Sequence, residues 1–245
     1  MTEIRSAVVL PARREDVELH TIDGLTLVGE LSLPPEREPV ATIVFLHPLP
    51  THGGFMDSHV IRKAAARLPA IADVAILRFN FRGVTSPRGT SDGAFDGGAG
   101  EGADLVAALG LVAERGLPTP WLVGWSFGTE VILKHAAHAR IAGAVLLSPP
   151  LHRATDDDLD RWVGGPPLVA VVPELDDYLR PPEARERFAR VPGLEVVDVP
   201  GGRHLWVGEG QVRTVLTEIV RHVHPEALPL PTEWSGPVVS TRQER

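Results

Sequence analysis

The sequence predicts an α/β fold with a mostly parallel sheet of eight strands, helices on both of its faces and a minimal cap. Three observations support this prediction. The chain has 245 residues and is 43% apolar, which is enough for one sizeable core. Its first part has the alternating pattern of a hairpin. From residue 41 onward, continuous apolar runs alternate with helix-like stretches, which is typical of strands buried on both faces.

The predicted hairpin covers residues 17–33. An Asp23-Gly24 turn separates two β-rich runs, and apolar residues recur at every second position from Leu25 to Leu33. This alternation indicates two antiparallel strands at the start of the sheet.

The later strands and helices alternate along the chain. Strands are predicted over residues 41–47, 74–81, 121–125, 143–149, 168–174 and 193–200. Helices are predicted near residues 57–68, 100–115, 127–139 and 209–223, and the last of them places its apolar residues on one stripe. A single domain is therefore expected over residues 1–224. Residues 225–245 are expected to form a weakly ordered, Pro-rich tail.

Composition excludes several functions. The net charge is −8, which disfavours nucleic acid and anionic membranes as partners. The chain has no Cys, so a disulfide framework, a thiolate zinc site and a cysteine nucleophile are all excluded. Residues 1–16 contain only a short apolar run before Pro11, too short for a signal sequence or a membrane span. A cytoplasmic location is the resulting expectation.

A candidate nucleophile lies in Gly124-Trp125-Ser126-Phe127-Gly128, between a predicted strand and a predicted helix. A sharp strand-to-helix turn needs small residues on either side, and it lifts the serine hydroxyl above the sheet. Ser126 would also lie at a helix N-terminus, where free N–H groups favour a developing negative charge. A plain helix cap is the alternative interpretation for this serine.

A serine nucleophile needs a base, and the base needs an acid that holds it in one tautomer. His204 lies in the Gly-rich loop after the last predicted strand. Asp176 and Asp177 lie in the turn after the strand at residues 168–174, where either could instead cap the next helix. Because the ligand site of an open parallel sheet lies beyond the carboxyl ends of its strands, we expect Ser126, one of the two acids and His204 to meet there.

Two long motifs resemble the α/β-hydrolases, specifically a compact bacterial subgroup of serine hydrolases. HPLPTHGGFMDSHV (residues 47–60) resembles the His-Pro-x-Pro-x-x-Gly-Gly loop of that subgroup, and RFNFRGVTSPRGTSDGAFDGGAGEGADL (residues 78–105) resembles its Arg-Phe-Asn-Phe-Arg-Gly-Val stretch and acidic helix entry. The resemblance covers nearly the whole chain. It implies an α/β-hydrolase fold and a seryl acyl-enzyme mechanism with Ser126, Asp176 and His204 as catalytic residues.

The family's acid motif is Gly-x-x-Asp, and Pro173 replaces that glycine here. Alignment favours Asp176 over Asp177, and the choice stays open. The resemblance also implies an oxyanion hole from two backbone N–H groups. Phe127 follows the nucleophile and supplies one; Leu49 supplies the other, because Pro48 and Pro50 have no N–H.

Other functions fit the sequence less well. His47, His52 and His59 lie near one loop, but their spacing matches no metal motif, so no metal and no cofactor are expected. His47 is interpreted instead as a strand-end residue that hydrogen-bonds the loop. A non-catalytic binding protein on the same scaffold is the main alternative, and a hydrolase of thioesters or peptides is another.

The substrate is expected to be a small-molecule ester. About twenty residues separate the strand ending at Ser148 from the next one, too few for a lid domain, so a small acidic cap and an open pocket are expected. Leu151, Trp162 and Trp206 are the candidate walls of this pocket, and the run from Asp156 to Asp158 is expected to disfavour anionic substrates. Neither nucleic acid nor a membrane is an expected partner, and the protein is expected to be a monomer or a homodimer.

Overall fold

The computed structural model describes residues 1–5 and 7–239, and its centre is one eight-stranded sheet. The strands in chain order are β1 (Arg13–His20), β2 (Thr26–Leu33), β3 (Ala41–Leu46), β4 (Val74–Phe79), β5 (Pro120–Trp125), β6 (Gly143–Leu147), β7 (Leu168–Pro173) and β8 (Glu195–Val199). The helices are α1 (His59–Ile71), α2 (Glu101–Glu114), α3 (Phe127–His135), α4 (Asp156–Asp160), α5 (Pro181–Phe188) and α6 (Glu209–Val223). None of the helices within these residues is long and apolar enough to cross a membrane.

The strand order across the sheet is β1-β2-β4-β3-β5-β6-β7-β8. β1 pairs with β2, and β2 with β4, in antiparallel fashion, while all the remaining neighbours are parallel. The predicted α/β fold, with its antiparallel start and mostly parallel eight-stranded sheet, is confirmed. In this register Leu46 lies opposite Gly124 and Trp125 opposite Leu147, so the carboxyl ends of β3, β5 and β6 meet at one edge.

The helices pack on both faces because the central strands are apolar on both sides. Every residue of β3 through β7 is buried except Trp121. One apolar layer joins the sheet to α2, α3 and α5, and a second joins it to α1 and α6. Val212, Val215, Leu216 and Ile219 of α6 are all buried in the second layer, which matches the predicted apolar stripe.

The segment between β6 and β7 folds down against α3. Thr155 caps the short helix α4 through a reciprocal pair of hydrogen bonds with Asp158. Leu159 and Trp162 are buried beside α3, and the Trp162 indole donates to the Leu133 carbonyl at 3.0 Å. This helix was not predicted, because its apolar residues are too few to give a helical period.

The tail from Pro225 is only partly described, since residues 240–245 lie outside the described residues. Its described part pairs with the start of the chain: Glu233–Trp234 form an antiparallel bridge with Thr2–Glu3, and the Val239 N–H donates to the Val9 carbonyl at 2.9 Å. The expectation of weak order for residues 225–245 stays a prediction, although residues within 225–239 have these backbone partners. Composition alone suggested it, because Pro-rich segments lack their own hydrogen-bonded structure.

Candidate active site

Ser126 lies in a sharp turn between β5 and α3, with φ 52° and ψ −114°. The two flanking glycines make this turn possible. A Cβ on Gly124 would lie 2.6 Å from the carbonyl carbon of Gly128, and one on Gly128 would lie 2.2 Å from the carbonyl oxygen of Leu46. Both contacts are with backbone, so neither position has room for a side chain. The turn therefore has the geometry of a nucleophile elbow, in which the strand and the helix come into close contact at two glycines.

Ser126, His204 and Asp176 form one chain of hydrogen bonds. The His204 Nε2 lies 2.9 Å from the Ser126 Oγ, and the His204 Nδ1 lies 2.9 Å from one carboxylate oxygen of Asp176 and 3.2 Å from the other. Because a carboxylate only accepts, the Nδ1 carries the proton and the Nε2 is left to accept from the serine. This tautomer is the one a general base at Ser126 requires.

The structure brings Asp176, and not Asp177, to His204. Asp176 is buried, whereas Asp177 is exposed. The Asp176 Oδ1 also accepts from the backbone N–H of Tyr178 at 2.8 Å and of Leu179 at 3.3 Å. These bonds hold the carboxylate toward the histidine, even though Pro173 replaces the glycine of the family motif.

The His204 backbone is held by side chains that sequence reasoning missed. The Trp125 indole and the Ser148 hydroxyl donate to the His204 carbonyl at 3.1 and 3.2 Å, and the His59 ring donates to the Trp206 carbonyl at 3.2 Å. Ser148 has φ 49°, a strained value for a non-glycine residue. Its position at the end of a predicted strand was the signal that could have identified it.

Tyr178 packs directly on the catalytic candidate His204. The two ring centroids are 4.5 Å apart and the ring planes are inclined at 69°, and Tyr178 is 52% exposed at the mouth of the site. This contact limits how far the imidazole can turn away from Ser126.

Both candidate oxyanion donors line the same cleft as Ser126. Phe127 is the first residue of α3, so its N–H has no carbonyl within the helix to bond. Leu49 precedes a short 3₁₀ turn, and its carbonyl accepts from the N–H groups of His52 and Gly54, both at 3.0 Å. A Cβ on Gly54 would lie 2.0 Å from the Pro48 carbonyl oxygen, so the loop closes tightly only because this residue is glycine.

His47 fixes the peptide unit that carries the Leu49 N–H. Its Nε2 accepts from the Phe81 N–H at 3.1 Å, so its Nδ1 carries the proton that is donated to the Pro48 carbonyl at 2.7 Å. Because the peptide is planar, holding the Pro48 oxygen also sets the direction of the Leu49 N–H. Complete burial lowers the pKa of His47 to about 4, which keeps the ring neutral in this role. The interpretation of His47 as a loop-bonding residue is confirmed.

The three clustered histidines have separate partners. His47 bonds Pro48 and Phe81, His52 lies 3.2 Å from the Thr51 hydroxyl, and His59 bonds the loop of His204. Within the part of the chain that the structure describes, no group of three His, Asp or Glu side chains is arranged to hold a metal ion.

The candidate residues open into a cleft of about 1560 Å³. Its apolar lining near Ser126 includes Leu49, Phe55, Tyr178, Leu205 and Val207. Another part of its lining is charged: the Arg88 guanidinium contacts Glu30 at 2.6 Å, Asp16 at 2.9 Å and Asp57 at 3.5 Å.

The predicted pocket walls do not line this cleft. Leu151, Trp162 and Trp206 are all buried in the two apolar layers of the core. Trp206 is only two residues from His204, but its backbone has a φ of 52°, and its indole packs in the core layer that contains α1 and α6. The Asp156–Asp158 run also lies away from the cleft, with Asp156 paired to Arg190 at 3.2 Å and Asp158 to Arg161 at 3.3 Å. Both expectations were wrong because residues close in sequence to the site face the core or solvent instead.

A comparison with curated sequences finds similarity over part of the chain. The chain matches no protein-family model. Over 117 residues it is 32% identical to an uncharacterized protein of Rickettsia prowazekii, and this match spans about half of that relative, 46% of its length and 46% of this chain.

Comparisons with solved structures are more extensive. The chain is similar to an α/β serine hydrolase without lid from Xanthomonas campestris, with a TM-score of 0.72, 27% identity and coverage of 91% of this chain and 99% of the other. It is similar to an α/β serine hydrolase homologue from Coxiella burnetii, with a TM-score of 0.72, 26% identity and coverage of 84% and 96%. A Pyrococcus furiosus esterase shares the fold. Its TM-score is 0.68, its identity is 20%, and the match covers 86% of this chain and 93% of the esterase.

Proposed function

This chain belongs to the α/β-hydrolase superfamily, and we propose that it is a serine hydrolase that cleaves small to medium carboxylic esters through a seryl acyl-enzyme. The observation that carries the proposal is the continuous hydrogen-bond chain from the Ser126 hydroxyl through His204 to the buried Asp176, with 2.9 Å at each step. A non-catalytic scaffold would have no need for a serine, a correctly protonated imidazole and a carboxylate in this order.

The first half of the reaction acylates the serine. The Ser126 Oγ attacks the ester carbonyl carbon while the His204 Nε2 takes the hydroxyl proton, and the Asp176 carboxylate stabilises the resulting imidazolium. The N–H groups of Phe127 and Leu49 stabilise the tetrahedral oxyanion. His204 then gives the proton to the leaving oxygen, the ester C–O bond breaks, and the alcohol departs.

The second half releases the acid. His204 removes a proton from a water molecule, and the hydroxide attacks the acyl carbon of the seryl ester. The same two N–H groups stabilise the second oxyanion. Collapse breaks the bond to the Ser126 Oγ, which recovers its proton from His204. The net reaction converts one ester and one water into one acid and one alcohol, and it requires no cofactor.

The cleft supports small to medium substrates. It is open to solvent, and the segment around α4 packs down on α3 instead of extending over the serine. The apolar surface of Leu49, Tyr178, Leu205 and Val207 can accept the organic part of an ester.

The test combines labelling with turnover. The protein is treated with a fluorophosphonate and analysed by intact mass and peptide mapping, and hydrolysis of a p-nitrophenyl ester series is measured for the natural chain and for Ser126→Ala. We expect one adduct, on Ser126, and ester hydrolysis that falls to the background rate in the variant. An adduct on Ser126 without ester turnover would redirect the search to thioesters or peptides. No adduct and no turnover in folded protein would overturn the proposal and favour a binding protein.

A further inference from the structure

We propose that Arg153 forms a carboxylate-binding subsite beside the nucleophile, and that the substrates are esters whose acyl chain ends in a free carboxylate. This inference rests on the proposed function and specifies its substrate class. It reverses the expectation that anionic substrates are disfavoured, since the aspartates behind that expectation lie away from the cleft.

Arg153 is held against the residue that follows the nucleophile. Its guanidinium carbon lies 5.5 Å from the centroid of the Phe127 ring, a cation–π contact. A Cβ added to Gly98 would lie 3.6 Å from the Phe127 ring and 4.0 Å from the Arg153 Cδ, so the Arg153 stem, the Phe127 ring and the Gly98 backbone lie close together. The guanidinium is thus positioned by packing, and it lines the cleft that contains Ser126.

Glu130 anchors the base of this subsite. It is fully buried in the first turns of α3, and it accepts from the backbone N–H of Arg153, from the N–H of Ala154 at 3.4 Å and from the Arg153 guanidinium at 3.3 Å. Two of the three hydrogen bonds that the Glu130 carboxylate accepts here therefore come from backbone N–H groups. Glu130 holds the loop that carries Arg153 onto the same helix that begins after Ser126.

The Arg153 guanidinium keeps donors for a ligand. A guanidinium has N–H donors in a planar fork that matches a carboxylate. Among the described residues, Glu130 accepts from this guanidinium, and only one of the guanidinium nitrogens makes that bond. The side chain is 34% exposed, so the remaining donors can meet a ligand in the cleft. Arg88, which also lines the cleft, is by contrast paired with three carboxylates.

The chemistry of the reaction sets the direction of the acyl chain. His204 must protonate the leaving oxygen, so the alcohol lies on the His204 side, near Tyr178 and Leu205. The acyl chain then extends from the carbonyl carbon on the opposite side, along Phe127. A carboxylate at the end of that chain would meet the Arg153 guanidinium and form charge-assisted hydrogen bonds.

The test compares two esters of equal acyl length. Hydrolysis of p-nitrophenyl hydrogen adipate and of p-nitrophenyl hexanoate is measured, with the rate in Ser126→Ala subtracted as background. The ratio of their kcat/KM values is determined for the natural chain, for Arg153→Gln and Arg153→Lys, and for the control Arg161→Gln, which removes a positive charge from an exposed position outside the cleft.

We expect the ratio to favour the adipate ester, to fall by about tenfold or more in Arg153→Gln, and to change little in the control. Arg153→Lys should give an intermediate ratio, because a lysine keeps the charge without the fork. Added salt should raise KM for the adipate ester only.

Two results would overturn the inference. If hexanoate is hydrolysed and the ratio is the same in Arg153→Gln, then the proposed function stands and the subsite does not exist. The same conclusion follows if both esters lose activity in parallel, because Arg153 would then only support the loop. If neither ester is hydrolysed and a fluorophosphonate leaves Ser126 unmodified, the proposed function fails and the subsite fails with it.

Discussion

Asp176 and Asp177 are adjacent acids with opposite environments, and they provide a matched pair for testing the catalytic carboxylate. Asp176 is buried against His204, and Asp177 is exposed. Asp176→Asn should lower kcat by about 10³ to 10⁴, because an amide favours the wrong histidine tautomer. Asp177→Asn should leave kcat near its original value. Steady-state hydrolysis of a p-nitrophenyl ester measures both, and equal losses in the two variants would contradict the assignment.

His47 should make stability depend on pH. Its pKa is about 4 in the folded protein because of burial, against 6.5 for an unperturbed histidine. The unfolded chain therefore binds more protons between these values, so the stability contribution is complete above pH 6.5 and is lost as the pH falls toward 4. The full contribution is about 3 kcal/mol.

Urea unfolding measured from pH 4 to pH 7 tests this effect. His47→Gln removes the titration while keeping a donor and an acceptor, so its free energy of unfolding should rise less steeply with pH than that of the natural chain. Parallel curves for the two proteins would show that His47 does not cause the dependence.

The candidate catalytic residues could be found from sequence, but the residues that line the cleft could not. Ser126 and His204 are set by backbone features that leave a sequence signal, namely flanking glycines and the loop after the last strand. The direction of Trp206 depends on a positive φ at a non-glycine residue, for which the sequence contains no signal. Tyr178 and Trp125 act through contacts with His204, which is distant in sequence, so no local pattern identifies them. Ser148, which also contacts His204, leaves one signal, its position at the end of a predicted strand.

At the scale of elements, the close approach of β5, α3 and β3 sets the position of Ser126, the candidate nucleophile. Gly128→Ala would push a methyl group into the Leu46 carbonyl, so we expect it to destabilise the protein by at least about 2 kcal/mol and to abolish esterase turnover. Gly110→Ala is the control. Gly110 lies on the exposed face of α2, where a Cβ has nothing within 4 Å, and the substitution should stabilise the protein by up to about 1 kcal/mol.

Urea denaturation and p-nitrophenyl ester hydrolysis measure the two variants side by side. Full activity and unchanged stability in Gly128→Ala would mean that the helix can shift away from β3, and the argument from close approach would be wrong.

The strands and the long helices were predictable because their apolar patterns are strong. The strand predicted at 121–125 corresponds to β5 (Pro120–Trp125), and the helix predicted near 209–223 corresponds to α6 (Glu209–Val223). The short helix α4 was missed because its stability comes from the Thr155 cap and from Trp162 packing on α3. Such tertiary contacts override local propensity.

At the scale of the whole molecule, the first and last described segments support each other. Deleting residues 232–245 would remove the partners of Thr2–Glu3 and Val9, and we expect the melting temperature to fall by about 2 to 8 °C because several backbone hydrogen bonds are lost. None of the candidate site residues lies in the deleted segment or in the residues that pair with it, so kcat should not change.

Deletion of residues 240–245 alone is the matched control, since it keeps every described contact of the segment. Thermal unfolding followed by circular dichroism compares the two. Equal melting temperatures for the longer and the shorter deletion would mean that the pairing adds nothing to stability.

The pairing of Thr2–Glu3 with Glu233–Trp234 also holds the first and the last described segments of the chain side by side. The same sheet could therefore form from a chain in which the elements follow one another in a different order. A circular permutant that joins the ends through a short flexible linker and opens the chain between Glu36 and Arg37, in an exposed turn, would keep every strand neighbour of the catalytic elements. The protein could then carry a fused reporter at that turn, remote in sequence from Ser126 and His204.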